Sequence, residues 1–270
     1  MAMTIVRDNL QKVKSPDIWW RLCQGLIIPI VMIIFWDISV RWRWVPSTLI
    51  ASPLEVVIRF WAMLLNGEIF KHLSISLWRL TLGFVIGSFL GVIVGALVGF
   101  SRILARFIEP FLLTLTPIPP IAWIPLLIIL LGIDDSSKIA LIAIAGFLGL
   151  FIQTAYSVRT TDRALVEVGL VLEKSRLEML FQILLPSALP DILLSLRLIL
   201  GVSWSLLMAS EIISSSNGLG WLIWQARNFA KADEMIVGMI VIGLIGKLTD
   251  WLLVQLEKYV TRWRKVYRDV

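Results

Sequence analysis

Five ionisable residues fall inside stretches otherwise suited to hydrocarbon: Asp37, Arg197, Glu211, Lys247 and Asp250. A charge at membrane depth is costly, so each is a candidate for an ion pathway, a gate brace or a counter-ion. Glu211 follows Ser210 and precedes SSSNGLG, near the outer end of its stretch, where it could serve a pore mouth or brace a gate. Arg197 sits near the inner end of the same stretch and can snorkel. Lys247 and Asp250 stand three apart, the spacing of an internal helix pair. None of these makes a catalytic set. There is one histidine, His72, and one cysteine, Cys23, which lies in an apolar stretch. The sequence therefore predicts no metal site, no disulfide framework and an inert buried thiol. No Ser/His/Asp or paired-carboxylate constellation appears, which argues against a membrane enzyme. No G-x-x-x-x-G-K-[ST] loop is present to hold a nucleotide phosphate. No span gathers the basic residues of a tight anion site, so selectivity is expected to reside outside the pore.

The elements that must position these groups are membrane helices. The chain has 270 residues, 58% hydrophobic and 16% charged, well below the charged fraction of soluble domains. Crossing the hydrocarbon takes about 20 apolar residues. Six stretches qualify, roughly 22–40, 80–100, 107–131, 139–157, 192–213 and 235–256. With 1–21 in the cytoplasm, the inside segments carry about twice the Lys and Arg of the outside ones, which places both termini inside. That asymmetry accounts for the net charge of +6 without nucleic acid. The expected organisation is an N-terminal cytoplasmic segment at 1–21, a membrane domain at 22–256 and a basic cytoplasmic tail at 257–270.

Within the second stretch Gly83, Gly87, Gly91, Gly95 and Gly99 recur every fourth residue. They form one ridge of bare backbone for close helix approach, within the bundle or between subunits. The third stretch contains TPIPPIAWIP. Its prolines break the helix, and irregular backbone at membrane depth survives only against protein or a water-filled cavity. A scaffold without a transport role has no need of it. Pro117, Pro119, Pro120 and Trp123 are therefore pathway candidates, with Trp204, Ser205, Ser210 and Glu211 of the fifth stretch. Outside, Ser52, Pro53 and Glu55 spell a capping box that starts a surface helix over 53–65, with Val56, Phe60, Met63 and Leu64 on one face.

The longest inside segment, 158–188, has structure of its own. A short helix runs from Asp162 to about Leu172. Ser175 and Glu178 form a second capping box. Leu177, Leu180, Phe181 and Leu184 then make an apolar stripe, and Pro186 and Pro190 are expected to stop that helix. Such a pair of short helices either docks into a partner's groove or rests on lipid headgroups.

EVGLVLEKSRLEMLFQILLP resembles the cytoplasmic loop of ABC importer permeases, whose pattern is E-A-A, then Gly, then I-x-L-P. Glu167 matches the Glu, while Ile183, Leu185 and Pro186 match the end. Val168 and Gly169 replace the alanines, and Glu173 stands where the family has the glycine of the turn. The two helices here either keep a left-handed turn on a non-glycine residue or join differently. PIPPIAWIPLLIILLGIDDSSKI and LPSALPDILLSLRLILGVSWSLLMASEII are similar to the nitrate, bicarbonate, taurine and aliphatic sulfonate branch. SPLEVVIRFW and NFAKADEMIVGMIVIGLIGKLTD look closest to the aliphatic sulfonate permeases.

The resemblance implies an all-α, six-span, type I importer permease of the bacterial inner membrane. Two copies would form the pore, two ATPase subunits carrying ATP and Mg would bind the loops, and a periplasmic or lipid-anchored binding protein would deliver the ligand. This chain would hold no cofactor. Glu167, Gly169, Glu173, Ser175, Leu177, Leu180, Phe181, Ile183, Leu185 and Pro186 would form the coupling element.

Overall fold

The computed structural model describes residues 18–262 except 45, 47 and 48, with side chains from residue 25. Most of the expected N-terminal segment, the Cys23 side chain and the end of the basic tail lie outside the described residues. Every element is helical: α1 (Ile18–Arg41), α2 (Pro53–Leu65), α3 (Glu68–Phe100), α4 (Arg102–Leu115), a 3-10 turn at Pro120–Trp123, α5 (Ile124–Leu131), α6 (Asp135–Arg159), α7 (Arg163–Val171), α8 (Arg176–Met179), a π segment at Leu180–Leu184, α9 (Leu185–Ser214), α10 (Leu219–Asn228) and α11 (Ala232–Val260). Among the described residues, four continuous helices are long and apolar enough to cross a membrane: α3, α6, Arg176–Ser214 and α11. α4 and the Pro120–Leu131 segment add a fifth span if counted together, and they are bent by 85°. This is the proline break expected within 107–131. α1 covers the remaining expected stretch.

α3 is the axis of the bundle. Its ridge glycines lie against α6 in strict register, facing Ile139, Ala143, Phe147, Phe151 and Ala155. A Cβ at Gly83 would come within 2.7 Å of the Ile139 carbonyl oxygen, and one at Gly91 or Gly95 equally close to that of Phe147 or Phe151. The two backbones therefore touch, and any side chain on this ridge would push them apart. The ridge serves packing within one chain.

The capping box of α2 forms as expected. The Ser52 N–H donates to Glu55 Oε2 at 2.7 Å, and Ser52 Oγ accepts from the Glu55 N–H at 3.3 Å. Val56 and Met63 are buried, and Phe60 and Leu64 pack on the same core. An ion pair of Arg59 with Glu234 ties α2 to α11.

Two expectations need correction. Pro186 and Pro190 do not end a helix, because a single helical run extends from Arg176 to Ser214. The π segment absorbs Pro186. The Leu185 N–H reaches back five residues to the Leu180 carbonyl, and this wider turn precedes a residue that has no N–H and whose ring crowds the preceding turn. His72, expected outside the spans, lies on α3, which starts twelve residues before the expected stretch. Hydropathy loses the helix there because its buried face is polar.

Candidate functional site

The segment between α6 and α9 folds back on itself at Gly169. A Cβ there would lie 2.5 Å from Ile183 Cδ1 and 2.6 Å from Met179 Cε. Glycine at this position lets α7 close onto α8 and the π segment with the Ile183 and Met179 side-chain tips against its backbone. The turn between α7 and α8 is left-handed on a residue that is not glycine. Glu173 has φ +53°. Its N–H donates to Leu170 O at 3.0 Å, and the Lys174 N–H donates to Gly169 O at 3.1 Å. This is a Schellman closure of α7. The Ser175 cap follows, with the Ser175 N–H donating to Glu178 Oε2 at 2.8 Å. Among the described residues Glu167 pairs only with Arg163, one turn earlier on the same exposed face. Replacing Glu173 with glycine should stabilise the fold by a few tenths to about 1 kcal/mol, relieved strain offset by a freer unfolded chain. The thermal midpoint of the purified protein measures this, and a lower midpoint would mean that the Glu173 side chain supplies a favourable contact.

The expected apolar stripe divides. Leu180 and Leu184 are 2% and 8% exposed and join Met179, Val158, Ala188 and Ile192 in a core of this chain. Ile183 and Leu185 pack against the same core. Leu177 and Phe181 remain 66% and 63% exposed. The stripe straddles the edge of the chain's own core, so only its outer half is free for a partner. Val168, Val171 and Leu172 are exposed alongside it.

At the other end of the bundle the structure assembles a polar knot. Glu211 is fully buried. Its carboxylate accepts from Arg79 Nη1 at 2.8 Å, from Ser76 Oγ at 2.8 and 3.0 Å, and from the Gly220 N–H at 2.8 Å. Arg79, 2% exposed, also donates to Asp135 Oδ1 at 2.8 Å and to the Asn217 carbonyl at 3.0 Å. His72 Nδ1 accepts from the Gly218 N–H at 3.2 Å. Gly218 has φ +107° and lies on the Glu211 carboxylate, so no side chain fits there. The buried Lys138 closes the nearby turn by donating to Ile133 O at 2.6 Å and to Asp134 O at 3.1 Å. α3, α6, α9 and α10 are thus locked together around Arg79, which pairs with both Glu211 and Asp135. Of these residues only Glu211 was singled out in the sequence. The signal for the others was their spacing: His72, Ser76 and Arg79 continue the Gly83 ridge at helical intervals.

The remaining pathway candidates scatter. Trp204 is buried and donates from Nε1 to Thr249 Oγ1 at 3.1 Å. Ser210 is buried and donates to Leu207 O at 2.8 Å. Ser205, Pro117 and Pro119 are exposed, and Pro120 opens the 3-10 turn. Trp123 Nε1 is buried with no partner among the described residues. Arg197 is held rather than free: its Nε donates to Asp250 Oδ1 at 3.1 Å, and Nη1 reaches Glu257 at 3.5 Å. Lys247 pairs with Asp250 at 3.4 Å as expected, so Asp250 joins α9 and α11. Asp37 pairs with Arg41 at 2.6 Å.

Residues 83–262 match the model of the binding-protein-dependent transport system inner membrane component family. The chain belongs to that family. It is a membrane-embedded transport permease. The aliphatic sulfonates transport permease protein SsuC of Bacillus subtilis (strain 168) is 38% identical over 244 residues, 90% of this permease and 88% of that protein. The protein of the same name from Escherichia coli (strain K12) is 36% identical, over 89% of this chain and 91% of that one. The resemblance read from the sequence is borne out. In fold, the permease is similar to a chain of the MetNI methionine ABC transporter solved in inward-facing conformations, with a TM-score of 0.60 at 18% identity over 70% of this chain and 94% of that one.

Proposed function

We propose that the chain is the permease subunit of an ATP-driven importer of aliphatic sulfonates, with two copies forming the pore and both termini in the cytoplasm. The identity to two aliphatic sulfonate permeases along nine-tenths of the chain carries this reading. Two partner ATPases, which bind the ATP and Mg, dock on the exposed edge at Leu177 and Phe181, and a periplasmic or lipid-anchored binding protein supplies the substrate. Closure of the ATPases moves the Gly169 hinge, and because α8 runs unbroken into α9, that motion tilts a membrane helix directly. This is rigid-body alternating access. The Pro117–Trp123 break and Ser205 line the moving pathway, while the Glu211 knot braces its outer end. The assignment is tested by isolating the importer's binding protein and titrating it by calorimetry with an alkanesulfonate, taurine, nitrate and bicarbonate. Tightest binding of the alkanesulfonate is expected; preference for taurine, nitrate or bicarbonate would replace the sulfonate assignment within the same family.

A further inference from the structure

A cleft of about 940 Å³ opens where α3 ends, between α4, the end of α6 and the segment that folds back at Gly169. Its walls combine two chemistries. Arg102 and Arg106, one turn apart on α4, both line it and have no hydrogen-bond or ion-pair partner among the described residues. Arg159 also lines it, held by Glu109 at 2.6 Å. Among the described residues Arg102, Arg106, Arg159 and Glu109 are the only charged groups lining the cleft, which gives them a net charge of +2. The rest of the lining is largely apolar and includes Phe100, Leu113, Val166 and Leu184. Outside the cleft, Ile103, Phe107 and Phe111 follow one another at helical spacing on α4 and are all strongly exposed. α4 therefore exposes an apolar face, while two guanidiniums without partners among the described residues lie beside a pocket with apolar walls.

We propose that this cleft binds the phosphodiester headgroup of an anionic phospholipid, with Arg102 and Arg106 on the phosphate and an acyl chain along Leu113 and Phe100. A guanidinium presents paired donors that match phosphate oxygens, and basic pockets between helices on the cytoplasmic side take anionic headgroups. Val166 lies on α7 and Leu184 on the π segment, so the bound lipid touches both arms of the hinge. Lipid composition would thereby bias the hinge. The cytoplasmic location rests on the orientation given under Proposed function.

The test uses the assembled importer in mixed detergent micelles, with native mass spectrometry reading the phosphatidylglycerol and phosphatidylcholine it retains. The native complex is expected to favour phosphatidylglycerol, and Arg102→Gln/Arg106→Gln to lower that preference roughly thirtyfold, the effect of two cations near an anionic headgroup. Lys258→Gln, which removes an exposed charge at the end of α11, should leave it intact. An unchanged preference in the double variant overturns the proposal, as does release of the ATPases with lipid retention unaltered, which would assign the cleft to the ATPase. Displacement of the lipid by equimolar inorganic phosphate would show a free-phosphate site and overturn the lipid assignment. Separately, Arg106→Cys with Cys23→Ala should label only from the cytoplasmic side. Labelling from outside would sink the orientation, whatever the lipid data show.

Discussion

Arg79→Gln is expected to destabilise the permease by about 3–5 kcal/mol, the cost of leaving a buried charge without its partner. Glu211 is completely enclosed, and without Arg79 its carboxylate keeps only Ser76 Oγ and the Gly220 N–H. The damage spreads because Arg79 also ties Asp135 at the start of α6 and Asn217 in the loop before α10. Glu211→Gln should cost less, since the amide oxygen still accepts from Arg79, although its NH2 then faces the Gly220 N–H. Arg79→Met combined with Glu211→Leu should recover part of the loss, because an apolar pair of similar volume carries no desolvation penalty. Thermal unfolding of the four proteins in one detergent measures the cycle. Arg79→Gln melting with the native protein, or a double variant as weak as the sum of the two single ones, would show that the ion pair does not hold this end of the bundle together.

Leu177→Asp with Phe181→Asp should release the ATPase while leaving the fold intact. Each side chain is mostly exposed in the free chain and would be buried on docking, at about 1.5–3 kcal/mol for each fully buried side chain. The pair is thus expected to cost several kcal/mol of association and to abolish substrate-stimulated ATP hydrolysis in liposomes. Leu180→Asp, one residue away, should behave differently. It buries a carboxylate in the core of Met179, Leu184 and Val158, and should lower the melting temperature of the permease itself. ATPase co-purification and thermal melting, measured on both variants, separate the two outcomes. If the Leu177/Phe181 variant keeps its ATPase and merely loosens from lipid, the segment is a headgroup-resting helix and not a coupling element.

What the sequence determined by itself was whatever depends on local spacing. The glycine period of α3 implied backbone contact because nothing but glycine allows it, and the partner helix supplies carbonyl oxygens at the same four-residue interval. The two capping boxes placed the starts of α2 and α8 correctly, since a cap is satisfied within three residues. The proline cluster marked the break that appears as an 85° bend. Only the tertiary structure could decide which half of the Leu177–Leu184 stripe is free, because burial depends on Val158 of α6 and on Val92 and Phe100 of α3, distant in sequence. It also decided that Pro186 continues a helix, through a π turn whose wider pairing no residue pattern announces. The knot around Glu211 needed the fold most of all. Arg79 and Glu211 are 132 positions apart, and a window of hydropathy reads an arginine as the end of a span. Long-range pairing turns that arginine into the bolt that joins α3 to α6 and α9.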